Sequence, residues 1–105
     1  MITAELIEHL RTNFKLDWHG IHGAPHWSRV CRNGLLLADY EQDKNPRVDV
    51  IKLFAFLHDH MRIHDDWDTD HGPAAAKNAV NLRNKFFEID DIGFDLLCRA
   101  LEGHS

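Results

Sequence analysis

An all-α bundle of about five helices is the fold that the sequence predicts, and three observations predict it. Apolar residues recur at helical spacing through most of the 105 residues. Turn-forming residues divide the chain into five such stretches, and no stretch alternates apolar and polar residues convincingly enough for a strand. The length fits one domain, residues 1–105, which buries roughly two-thirds of its unfolded surface without a disulfide scaffold.

The first helix follows Thr3, whose hydroxyl can cap it, with Leu6, Ile7 and Leu10 on the apolar face and Glu5, Glu8 and Arg11 opposite. His9 falls on the polar side, where a surface position is expected. Asp17 to Ala24 reads as a loop broken by Gly20 and Gly23. Pro25 then suits the first turn of a second helix, in which Trp27, Val30, Cys31, Leu35 and Ala38 recur to about Tyr40. Glu41 to Arg47 is a polar turn. A third helix runs from about Val48 to His60 and is apolar nearly all round, which predicts a buried, central element. Met61 to Thr69 is a polar loop. Asp68, Thr69 or Asp70 can cap a fourth helix with Pro73 in its first turn and apolar positions as far as Phe86. Asp90 or Asp91 can cap a fifth, with Ile92, Leu96, Leu97, Ala100 and Leu101 as its apolar stripe.

Composition narrows the function classes. Hydrophobic residues make up 44% and charged residues 28%, ordinary for a globular protein and unlike disordered or coiled-coil chains. The net charge of −5 argues against binding a nucleic acid polymer or an anionic membrane through a basic surface. No apolar run approaches the length of a membrane span, and the first residues lack a signal-peptide pattern. Two cysteines, Cys31 and Cys98, form no CxxC pair, so a reducing cytoplasmic setting is expected. Phosphate-binding glycine loops, HExxH and GxSxG are absent.

Histidine is the residue in excess, with nine dispersed along the chain. The strongest local signal is His58-Asp59, at the end of the most apolar helix. Burying either side chain unpaired is costly, and a divalent metal ion is a partner that suits both. Consecutive helical residues point about 100° apart, so the two meet one ion only where the helix frays, or else straddle two ions. Taken alone, the doublet also fits a helix end with ordinary hydrogen bonds. His26, opening the second helix, is a better ligand candidate than His22, because Gly23 and Pro25 prevent a continuous helix between them. Of the fourteen residues from His58 to His71, nine are His or Asp. Asp66, Asp68 and Asp70 alternate as in a calcium loop, but the sixth position is His71 and the twelfth Lys77, which excludes that site. Asp65 and Asp66 fit a solvated loop. His71 opens the fourth helix, where backbone N–H groups favour an anion. His104, judged alone, reads as tail.

Taken as an ordered set, these residues resemble the HD-domain superfamily of metal-dependent phosphohydrolases, and in particular its small bacterial single-domain members. The family pattern is a His, a later His-Asp doublet and a distant Asp on a helical bundle. The first His is matched by His26 in HGAPHWSRV, and the doublet by His58-Asp59 in LFAFLHDHMR. DTDHGPAAA, with His71, and LEGHS, with His104, resemble the two segments that follow. The likeness covers roughly residues 18–105. No Asp follows His104 to match the family's closing metal ligand, so the resemblance implies a domain that is short at its C-terminus.

The resemblance implies hydrolysis of a phosphate ester, with a nucleotide as one candidate, by a bound divalent metal (Mn, Zn, Ni, Co, Fe or Mg). His26, His58 and Asp59 would be the metal ligands, and Asp59 would also orient the attacking water. Arg62 and His71 would stabilise charge on the phosphoryl group. His71 and His104 would be substrate-side or second-metal residues. The partner expected is a small phosphorylated substrate. Two other readings stay open: an HD-like metal- or nucleotide-binding module without turnover, and a structural bundle, a homodimer covering exposed apolar side chains.

Overall fold

The computed structural model describes residues 2–66 and 68–104. Trp67, in the expected polar loop, and Ser105, in the final segment, lie outside the described residues. The chain forms an all-α bundle of five helices: α1 (Ala4–Asn13), α2 (Ala24–Tyr40), α3 (Val48–Leu57), α4 (His71–Leu82) and α5 (Asp91–Gly103). A single 3-10 turn, Gln42–Lys44, lies within the expected polar turn. No strand occurs among the described residues, only an isolated bridge between Arg83 and Phe87. Among the described residues, no helix is long and apolar enough to cross a membrane.

The helix starts follow local chemistry. Thr3 accepts a hydrogen bond from the Leu6 N–H (3.1 Å), and Asp90 accepts one from Gly93 (3.0 Å). Asp90 also takes Arg47 Nη2 (2.8 Å), and the same guanidinium holds Asp49, so the starts of α3 and α5 are tied together. Asp70 is the residue before α4 but makes no side-chain capping bond.

Helix α3 packs against both α2 and α5, and α5 packs in turn against α4. The core draws on every helix: Leu6 and Leu10 from α1, Trp27 from α2, Leu53 and Leu57 from α3, Ala75, Ala79 and Leu82 from α4, and Leu97 and Leu101 from α5. Trp27, wholly buried, donates its indole N–H to the His22 carbonyl (2.7 Å), which fixes the loop before α2.

The structure corrects four of the expectations. Helix α3 stops at Leu57 instead of His60, with His58 as its C-cap and turns from there to Met61. Its all-round apolarity is also not matched by all-round burial, since Ile51 and Phe54 are only half-buried. On α5 the buried positions are Gly93, Leu97 and Leu101, while Ile92, Leu96 and Ala100 are exposed, so only two of the five residues of the expected stripe face the core. Helix α4 ends at Leu82, and Phe86 lies in the turn beyond it, where His9 stacks on its ring at 4.3 Å.

Candidate metal centre

Four histidines and one aspartate converge where α2 begins, α3 ends, α4 begins and α5 ends. The approach of α2 is set by Gly23. A Cβ there would lie 2.2 Å from the Trp18 carbonyl oxygen, which accepts a hydrogen bond from the Ala24 N–H (2.7 Å). With that turn closed, His26 projects from the first turn of α2 toward the end of α3. The approach of α4 to α5 is set by Gly72, where a Cβ would stand 2.6 Å from the Leu101 carbonyl oxygen. That contact brings His71 beside His104.

Asp59 lies at the middle. Its Oδ2 is 3.4 Å from Nε2 of both His26 and His58, and its Oδ1 is 3.4 Å from Nε2 of His71 and 3.7 Å from Nε2 of His104. The Nε2 atoms of His26 and His58 are 3.2 Å apart, and those of His71 and His104 are 2.9 Å apart. Two overlapping groups result, His26–His58–Asp59 and Asp59–His71–His104, each with its ligand atoms within 4.8 Å of one another.

Tautomers follow from the outer nitrogens. A backbone carbonyl only accepts, so an Nδ1 within hydrogen-bond reach of one must carry the proton. His58 Nδ1 donates to the Ala55 carbonyl (2.8 Å), His104 Nδ1 to that of Leu101 (2.7 Å), and His71 Nδ1 to that of Asp68. In the neutral ring the Nε2 lone pair of each then points inward. This is the usual second-sphere arrangement of metal-binding histidines, in which the outer N–H fixes the ring and its tautomer.

Burial disfavours the charged forms of His58 and His26, and their pKa values fall below the ordinary histidine value despite the attraction of Asp59. Burial alone would push the Asp59 carboxyl up. The neighbouring His104 ring and the fields of His58, Arg62 and His26 outweigh it and hold the pKa at about 2. The cluster therefore offers an ionised carboxylate and, at His26 and His58, imidazoles biased toward the neutral form, the kind of donor that a first-row divalent cation takes.

Arg62 is buried. Its Nε lies 3.5 Å from Asp59 Oδ1, and its Nη1 donates to the carbonyls of His64 (3.1 Å) and Asp66 (2.8 Å). It thus pins the loop after α3 and places a positive charge beside the carboxylate. His104, which reads as tail by itself, is packed among Phe54, His58 and His71. Asp65, expected in a solvated loop, meets His22 Nδ1 at 2.9 Å. The sequence carries no local signal for that pair, which lies 43 positions apart. His60 is also buried beside the cluster but turns away from it: Nδ1 donates to the Leu57 carbonyl (2.5 Å), and Nε2 meets the Asn78 amide (3.1 Å).

Comparison with protein-family models, with curated proteins and with solved structures finds no match to this chain.

Proposed function

We propose that this protein is a metal-dependent phosphohydrolase that acts on a phosphate ester through a two-metal centre bridged by Asp59. The observation that carries the metal half of this reading is the facing of acceptor nitrogens. His71 and His104 oppose their Nε2 atoms at 2.9 Å while both Nδ1 atoms are committed to carbonyls. Where both rings are neutral, the two Nε2 lone pairs face each other and repel unless a cation lies between or beside them. His26 and His58, with Oδ2 of Asp59, would hold one cation. His71 and His104, with Oδ1, would hold the other.

Bound divalent cations supply Lewis-acid polarisation of the phosphoryl oxygens and a water of lowered pKa. The chain itself supplies position and charge. Asp59 is the one carboxylate in the two groups, and Arg62 stands beside it, so the protein brings no surplus negative charge to a loaded centre. Such a centre draws an anion, and a phosphate group meets that demand. His71 opens α4, whose free backbone N–H groups favour an anion at the same place. The order His26, His58-Asp59, His71, His104 and its resemblance to HD-domain phosphohydrolases support the choice of phosphate ester.

The test is turnover of a phosphomonoester panel by the metal-loaded protein, with His58→Ala and Asp59→Ala as controls. Loss of activity in both variants, with helical circular dichroism retained, supports the reading. Wild-type turnover that survives EDTA overturns it.

A second reading, a metal-binding module without turnover, draws on one observation. The Nη1 of Arg62 is already bonded to two loop carbonyls, so this guanidinium is only in part available to a phosphoryl oxygen. Metal content without turnover in the same samples would select it.

A further inference from the structure

We propose that the apolar groove between α2, α3 and α5 receives the organic group of the ester, and that this group is aromatic or alkyl rather than strongly polar. This rests on the phosphohydrolase reading and adds the substrate class to it.

The groove borders the histidine cluster along all three helices. Val30 lies four residues after His26 on α2, Phe54 four before His58 on α3, and Ala100 four before His104 on α5. Four residues make about one helical turn, so each wall of the groove stands one turn from a cluster histidine on its own helix. Phe54 joins the two spaces. Its ring stacks on His58 (5.2 Å, 17°) and meets His104 edge-on (5.6 Å) while lining the groove. The most exposed side chain of the cluster, His26 at 31%, belongs to α2, which forms one of the walls.

Size and lining point the same way. The groove encloses about 460 Å³, within the span of small-molecule sites, and Asn33 is the one polar side chain along it. At the far end Leu37 is 63% exposed. The floor comes from α3, the helix whose apolar composition predicts complete burial, so the half-exposure of Ile51 and Phe54 is what a ligand would relieve. An ester whose phosphate meets the histidines would lay its organic group over Phe54 and on toward Leu37.

The experiment titrates manganese-loaded protein with two non-hydrolysable phosphonates, 2-naphthylmethylphosphonate and methylphosphonate, by calorimetry. The naphthyl compound should bind about ten- to a hundredfold tighter, the worth of burying an apolar group the size of a large side chain. Ala100→Trp, which fills the inner end, and Leu37→Gln, which makes the outer end polar, should each erase most of that advantage and leave methylphosphonate binding unchanged. Both positions are exposed, so folding should tolerate the changes. Equal binding of the two compounds overturns the groove assignment and leaves the phosphate reading standing. Binding of neither overturns both. Variants that shift the sedimentation coefficient without altering ligand preference would make the groove a contact between copies of the chain, which also overturns the proposal.

Discussion

His71 and His104, 33 residues apart, point their Nε2 atoms at each other across 2.9 Å, and both lie within 3.7 Å of the same carboxylate oxygen of Asp59. The other oxygen of Asp59 serves His26 and His58 in the same way. One buried carboxylate thus stands between two pairs of imidazoles, and the pairs can be separated by mutation.

Metal content should therefore be two equivalents per chain after loading and desalting. His104→Ala should lose one equivalent and keep the other, and so should His26→Ala. Asp59→Asn should lose both, because it removes the negative charge that the two groups share and leaves only one neutral amide oxygen between them. Loading should also stabilise the fold, by about 2.7 kcal/mol per occupied site at a free-metal concentration a hundred times Kd. Elemental analysis and thermal melts with and without EDTA check each statement. A single equivalent in the wild type, unaffected by His104→Ala, would rule out the bridged arrangement.

Gly72 should matter for the second group although it binds nothing. Its missing Cβ lets the start of α4 approach the Leu101 carbonyl, and a methyl at that point would stand 2.6 Å from the oxygen. Gly72→Ala should cost about 1–3 kcal/mol, as overpacking does. It should also drive His71 away from His104. The expected result is a folded protein that keeps one metal equivalent and loses the other. Retention of both equivalents at wild-type affinity would show that the close approach does not set the pair.

Much of this was legible in the residues, for identifiable reasons. Thr3, Pro25 and Asp90 mark helix starts because caps and first-turn prolines act over three or four positions. His58-Asp59 stands out because two polar groups end an apolar helix, and α3 does end just before them, at Leu57, with Asp59 facing both histidine pairs. The pairing of His71 with His104 was not legible from local pattern, since it depends on how closely two helix ends approach across Gly72. The outward turn of Ile92, Leu96 and Ala100 was hidden for a similar reason. Periodicity gives a stripe, but the width of that stripe which neighbours cover is set by tertiary packing.

Metal affinity should depend on pH with a definite sign. Burial lowers the pKa values of His26 and His58 below the ordinary histidine value of 6.5, and Asp59 stays ionised down to about 2. Protons therefore do not compete for these two rings or for the carboxylate near neutrality. Affinity at the His26–His58 group should be nearly flat from about pH 8 to 7 and weaken only at more acidic pH, as these two imidazoles begin to take up protons. Titration with a competing chelator across that range measures it. A steep loss of affinity between pH 8 and 7 would mean that a group other than these imidazoles controls binding.

Folding stability should fall with acid through a histidine outside both metal groups. His60 is buried, and burial outweighs its bond to the Leu57 carbonyl, so its pKa drops from 6.5 to about 4. An unfolded chain protonates this ring near 6.5, whereas the folded chain refuses the proton until about 4. Between those values the unfolded state binds more protons, so stability rises with pH there. The contribution is complete above about 6.5 and is lost progressively as pH falls toward 4. His26 and His58 act in the same direction in the metal-free protein, so the His60 share must be isolated by difference. His60→Gln keeps an amide able to meet Asn78 and removes the titration. In EDTA, the variant should lose less stability than the wild type between pH 7 and 4.5 in urea melts. Equal losses would place the acid sensitivity of the fold elsewhere.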